Sequence, residues 1–246
     1  MRLAVEAGTV LDVCDSTNNL AWDLARNGAT SGAWIAARRQ TSGRGREGRT
    51  WISEDGGLYI SFVFRVPATF PRDLATWIPI VTALACLDAV EATGSKAGLK
   101  IKWPNDLLAV TDSGLAKVGG ILCESRTDNP GVFVVGIGLN CVVNPELSDR
   151  QTGRLDVSVE RMRGETVGAL RLRLDRFFSI DAETRADQTA ALEKQFWSVA
   201  WIQSGEVFEW RGERVRCLGL GTHGELRIRS EANPAAPIQS VLQPEY

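Results

Sequence analysis

Residues 99–143 read LKIKWPNDLLAVTDSGLAKVGGILCESRTDNPGVFVVGIGLNCVV. Four runs within them, Leu99–Trp103, Leu107–Val110, Leu115–Ser125 and Val132–Val143, read as strands. Between them stand Pro104-Asn105-Asp106, Thr111-Asp112-Ser113-Gly114 and Thr127-Asp128-Asn129-Pro130-Gly131. These are turn sequences, too short for a helical crossover, so the strands should pair antiparallel as hairpins.

Upstream, Ser16–Gly28 predicts a helix: Ser16 or Thr17 can cap it, Leu20, Ala21, Leu24 and Ala25 line one face, and Gly28 can end it. Trp34–Ala37 and Leu58–Val66 read as strands, with a Gly/Arg loop at Gly43–Gly48 between them. Pro71–Ala92 has helical periodicity, with Pro79 as a kink or a late start. Downstream, helices are expected over about Thr166–Asp187 and Thr189–Val199. Short strands follow at Glu206–Trp210, Arg214–Leu218, Leu226–Arg229 and Gln239–Leu242. The predicted fold is α+β: a mixed, mainly antiparallel sheet covered by helices on one face, then a small β-barrel-like unit. A boundary near residue 203 divides a main domain, 1–202, from a small one, 203–246.

The 246 residues are 44% hydrophobic and 24% charged, an ordinary globular composition. No stretch approaches the roughly 18 apolar residues of a membrane span, and no leader precedes the first acidic residue, so a cytoplasmic protein without membrane contact is expected. Twenty-eight basic against 30 acidic residues give a net charge of −2. That balance argues against a generally basic, nucleic-acid-binding surface. The cysteines (Cys14, Cys86, Cys123, Cys141 and Cys217) are five, scattered and never two apart, which suggests reduced thiols. One histidine, His223, excludes a His-rich metal centre.

The strongest local charge lies in Arg38–Arg49, with five arginines and one glutamate. Gly43, Gly45 and Gly48 let backbone approach a ligand, and arginine forks suit carboxylate and phosphate oxygens, so an anion site is expected. A plain solvated loop is the alternative. The same glycines fit the G-x-G-x-x-G pattern, but turn-like residues and then a strand follow instead of a helix, which excludes a dinucleotide fold. In Lys102-Trp103-Pro104-Asn105-Asp106 the Pro, Asn and Asp suit a hairpin turn; the flanking lysine and aspartate are not needed for it, and Asp106 could serve Mg²⁺ beside phosphates. Gly119 and Gly120 interrupt the apolar strand after Lys117, marking a bulge or a ligand lying on the backbone, with Lys117 and Gly119 expected on one face. Gly136 and Gly138 precede Asn140 in the same way.

Together, Asp15-Ser16-Thr17-Asn18, Gln40, Gly43–Trp51, Lys102–Asp106, Lys117–Glu124 and Gly136–Asn140 resemble, in order and spacing, biotin protein ligases. The resemblance covers about residues 10–145, and extends weakly through a C-terminal stretch similar to that family's SH3-like domain. It implies an ATP-dependent enzyme that makes biotinyl-5′-AMP and passes biotin to a lysine of a biotin carboxyl carrier protein. It implies biotin contacts from Ser16, Thr17, Asn18, Gln40, Arg44, Gly45, Arg46, Lys117 and Gly120. ATP contacts would come from Arg46, Arg49, Trp51, Lys102, Asn105, Asp106 and Asn140. The catalytic set would be Lys117, Arg46 and Arg44, with Mg²⁺ on Asp106. Ser16-Thr17-Asn18 begins near the start, so a monofunctional ligase without a DNA-binding domain is expected, as a monomer or homodimer. Where some relatives place a nucleotide-facing arginine in the C-terminal domain, Leu218 stands here, with Arg214, Arg216 and His223 nearby. The rival readings are a lipoate or octanoate ligase of the same fold, an acyl transferase using Cys123 or Cys141, and an Arg/Gly nucleic-acid module.

Overall fold

The computed structural model describes residues 7–148 and 150–241. A seven-stranded sheet has the spatial order β1-β2-β3-β7-β6-β5-β4. Its strands are β1 (Thr9–Cys14), β2 (Ala33–Gln40), β3 (Gly57–Arg65), β4 (Leu99–Lys102), β5 (Asp106–Thr111), β6 (Gly114–Ser125) and β7 (Val132–Asn140). Strands β4 to β7 pair antiparallel in sequence order, as their short turns require. Among the described strands, β1 and β2 pair parallel, joined through helix α1 (Thr17–Arg26). Strand β1 escapes a sequence reading because it is a half-exposed edge with weak alternation. Strand β7 stops at Asn140, three residues before its predicted end.

Ser16 takes the N-cap position of α1 in extended conformation, though its side chain makes no capping bond, and Gly28 follows the last turn at φ +83°. Pro79 is a late start and no kink: a 3₁₀ turn over Arg72–Trp77 leads into helix α2 (Ile78–Ala92), with the proline in its first turn. The segment Arg72–Ala92 has the length and composition of a membrane-crossing helix. Its apolar character has another cause, since α2 is buried between the sheet and helix α3 (Val159–Phe178). Helix α3 starts seven residues before its predicted start, at the Ser158 cap. It ends at Ser179 because Asp181 takes the N–H groups of Glu183 and Thr184 (3.1 and 2.9 Å), turning the chain into helix α4 (Arg185–Val199).

The sheet's two faces differ. On one, Leu58, Ile60, Phe62 and Phe64 of β3 and Val135, Ile137 and Leu139 of β7 pack under α2 and α3. Each such side chain contributes about 1.5–3 kcal/mol through burial. On the other face Val63, Val132 and Val134 are covered by Ala21, Trp22, Leu24 and Ala25 of α1. So the longer helices cover one face, as expected, and α1 alone lies on the other. Further along that second face the side chains shrink to Gly136 and Gly138, and the sheet is left open as the floor of a cavity.

Beyond residue 203 lies a four-stranded antiparallel sheet, order β11-β10-β9-β8, formed by β8 (Val207–Trp210), β9 (Glu213–Leu220), β10 (Leu226–Ser230) and β11 (Gln239–Val241). The expected end of the last strand, Leu242, lies outside the described residues. Phe208, Val215, Cys217 and Ile228 join the same apolar cluster as α2 and α3. The indoles of Trp77 and Trp103 donate to the carbonyls of Thr222 and Gly224 (both 3.1 Å). His223 sits in that turn, as its neighbours suggest.

Candidate active site

The cavity on the open face encloses about 280 Å³. Its walls bring together Ser16, Thr17, Asn18, Gln40, Arg44, Gly45, Arg46, Arg49, Trp51, Asn105, Asp106, Lys117, Gly120 and Asn140. These come from positions as far as 124 residues apart, gathered because α1, the 41–56 loop and the ends of β5, β6 and β7 meet on one face. Lys102 lies outside this cavity. It lines an adjoining groove of about 490 Å³ with Trp201, Trp210 and Arg211, which also opens onto Arg46, Arg49, Asp106 and Lys117. Its ammonium stands 5.1 Å from the Trp201 ring centre. Neither Arg214, Arg216 nor His223 lines the cavity. Arg216 is tied instead to Glu231 at 2.9 Å.

A bulge sets the sidedness of β6. Its register slips between Leu107 and Leu108: Leu107 faces Gly119, Leu108 faces Lys117, and Val118 is the extra residue. A Cβ on Gly119 would stand 2.6 Å from Leu139 Cδ2, on the helix side. Val118 is also buried on that side. Lys117 therefore shares the cavity face with Gly120, correcting the expectation that it pairs with Gly119.

The glycines seat side chains. A Cβ on Gly138 would lie 2.6 Å from the Trp51 indole, and one on Gly120 2.9 Å from it. On Gly136 it would lie 2.0 Å from Asn18 Oδ1. Trp51 and Asn18 can press onto the sheet because nothing protrudes there.

At one end the wall is polar. The Thr17 N–H donates to Gln40 Oε1 (2.8 Å), and Gln40 Nε2 donates to Ser53 Oγ (2.8 Å). Ser61, fully buried in β3, lies 2.7 Å from Thr17 Oγ1 and donates to Asn18 Oδ1 at 2.6 Å. Sequence reasoning missed Ser61; the signal was a hydroxyl in the apolar run LYISFVF. It also missed Arg150 and Thr152, which arrive because residues 151–153 pair with Lys117 through Lys117 N–H to Gln151 O and Gly153 N–H to Lys117 O (both 2.9 Å).

At the other end the wall is ionic. Lys117 Nζ pairs with Asp106 Oδ1 at 2.5 Å and lies 5.3 Å from the Trp51 ring centre. Burial pushes the Lys117 ammonium below the usual lysine range, opposed in part by Asp106. Arg46 reaches Asn105 Oδ1 only at 3.5 Å, a long and weak bond that leaves it adaptable. Trp51 Nε1, Asn140 Oδ1 and Arg44 Nε are buried and lack partners among the described residues; all three belong to cavity-lining residues. Buried polar atoms without partners are costly, and a bound ligand is one means of meeting that cost.

Asp106 is engaged by Lys117, and the described residues contain no cluster of three His, Cys, Asp or Glu side chains that could hold a metal. Burial raises the Cys141 thiol to about 12, which keeps it protonated and unsuited to carry an acyl group. The arginine run is also less cationic than its count suggests. Arg38, Arg44 and Arg49 pair with Asp55, Glu124 and Glu47, each at 2.9 Å. That weakens the nucleic-acid reading.

Residues 10–144 match the model of the biotin/lipoate A/B protein ligase family. A biotin–[acetyl-CoA-carboxylase] ligase of Paracoccus denitrificans is 41% identical over 157 residues, which are 62% of this chain and 62% of that protein. One from Mycobacterium tuberculosis is 31% identical over 192 residues, covering 73% of this chain and 70% of that one. The chain spans about half (47%) of the Bacillus subtilis bifunctional ligase/repressor, at 33% identity over 161 residues and 63% of this chain. Among solved structures, the biotin protein ligase from Aquifex aeolicus in complex with biotin and ATP has the same fold, with TM-score 0.71, 24% identity and 96% of both chains covered. The open-faced sheet, its glycine seats and the matched residues make this chain a member of the biotin/lipoate A/B protein ligase family.

Proposed function

We propose that the chain uses ATP to activate biotin as biotinyl-5′-AMP and then transfers the biotinyl group to a lysine of a biotin carboxyl carrier protein. The observation that carries this is one cavity with a polar end and a cationic end. The ring of biotin, with its ureido N–H and C=O groups, suits the Thr17–Gln40–Ser61 end. Its carboxylate then reaches towards Lys117 and Arg46. An alkyl chain placed there would desolvate the same polar groups without replacing their water, at about 1–3 kcal/mol each. This favours biotin over lipoate or octanoate.

Both reactants are anions, so the first barrier is repulsion. A biotin carboxylate oxygen bonds to the α-phosphorus, the bond from that phosphorus to the α,β-bridging oxygen breaks, and pyrophosphate leaves with that oxygen. Lys117 and Arg46 stabilise the charge that develops there. Mg²⁺ enters as part of the ATP substrate. In the second step the carrier's neutral lysine amine attacks the biotinyl carbonyl carbon, AMP leaves and the amine's proton goes to solvent. The adenylate is a mixed anhydride, so a covering loop that excludes water preserves it.

Incubation with ATP, Mg²⁺ and either biotin or octanoate tests this reading. Retained biotinyl adenylate and no octanoyl adenylate is the expected result; the reverse would reassign the substrate. The pH dependence is a second test. Lys117 loses its charge as pH rises through its lowered pKa, so adenylate formation should fall on the alkaline side below the ordinary lysine range of about 10.4. Lys117→Arg should push that limb upward, because a guanidinium keeps its proton. An identical alkaline limb in both proteins would remove Lys117 from that role.

A further inference from the structure

Resting on the biotin reading above, we propose that Glu124 is a positioning residue: its carboxylate ties Arg44 of the 41–56 loop, which lines the cavity, to α1 and holds that loop against the reacting molecules. Glu124 Oε2 accepts from Asn18 Nδ2 (2.8 Å), Trp22 Nε1 (3.3 Å) and Arg44 Nη2 (2.9 Å). Two of those donors are fixed. Trp22 is fully buried, and Asn18 is wedged into the space left by Gly136. Arg126 lies over the Trp22 ring, its guanidinium carbon 4.4 Å from a ring centre. The carboxylate is thus a rigid post.

Several of the loop's backbone bonds close on the loop itself. Its Gly45 N–H bonds to Arg49 O (2.7 Å) and its Arg49 N–H to Arg46 O (3.1 Å), both inside the loop. Glu47 stands in the left-handed region at φ 57°, where a non-glycine residue is strained. Among the described residues, Arg46 reaches the β4–β5 turn through the long bond to Asn105. The Arg44–Glu124 pair is charge-assisted and joins positions 80 residues apart. It also sets Arg44 apart from Lys117 and Arg46: Arg44's charge is matched by a carboxylate of the chain, so its part is to anchor.

Glu124→Gln keeps an acceptor oxygen for Asn18 and Trp22 but removes the charge that holds Arg44. It should speed escape of preformed adenylate about 10-fold while changing its formation rate less than about 3-fold, a split that general destabilisation would not give. Arg44→Gln should likewise speed escape of the adenylate, and the double variant should retain it no worse than the worse of the two single variants. Additive losses, or wild-type retention in Glu124→Gln, would overturn the proposal. Should Glu124→Gln not fold, Arg44→Gln and Arg44→Lys read the tether from the loop side: retention is lost with Gln and largely kept with Lys, and equal loss in both overturns it. Amide exchange over residues 44–49 needs no substrate and should rise about 10-fold in Glu124→Gln. Unchanged exchange overturns the tether alone. No adenylate from the wild type, together with the exchange rise in Glu124→Gln, overturns the biotin reading alone.

Discussion

Replacing Lys117 by methionine is expected to slow adenylate formation by about 10²–10³-fold, the size of effect seen when one stabilising donor is removed from a developing negative charge. Two consequences add. The variant loses the cation near the carboxylate and phosphate, and it leaves Asp106, whose side chain is 18% exposed, without its 2.5 Å partner. An unneutralised carboxylate at the cationic end repels ATP. Lys117→Met/Asp106→Asn removes that repulsion and should recover part of the ATP affinity, but not the rate. Single-turnover formation of adenylate, with thermal melting as a control, separates the terms. A rate within about 3-fold of wild type would make the pair a structural ion pair.

Gly138→Ala should weaken biotin binding by about 10–100-fold. Its Cβ would stand 2.6 Å from the Trp51 indole, so the ring must lift from the floor and disturb the Lys117 ammonium lying 5.3 Å from it. Overpacking of this kind costs about 1–3 kcal/mol. Gly164→Ala is the matched control: it is exposed on α3 with nothing within 4 Å of a new Cβ. It should be neutral or stabilising by up to about 1 kcal/mol. Calorimetric titration with biotin checks both, and wild-type affinity in Gly138→Ala would mean Trp51 has no fixed seat.

Where neighbouring residues carry the information, the sequence was readable. Pro104-Asn105-Asp106 and its fellow turns dictated antiparallel pairing, and Ser16 with Gly28 bracketed α1. The glycines at 120, 136 and 138 could be recognised as places of close approach. What approaches them could not, because Trp51 and Asn18 lie 69 to 118 residues away in the chain from the glycines they meet. Glu124 and Ser61 were hidden for the same reason: each acts through partners between 43 and 106 residues distant. The bulge was hidden differently. Val118 and Gly119 both suit a buried layer, so no polarity change marks where alternation breaks.

That surplus residue makes the chemistry a matter of parity. Strands alternate, so whatever follows Val118 is displaced by one step relative to whatever precedes it, as in a shifted reading frame. A chain that kept this residue but paired it regularly, without the bulge, could keep every strand and turn, yet no frame would then place the ammonium and the Gly120 hollow on the same side. One of them would be delivered into the oily layer beneath the long helices.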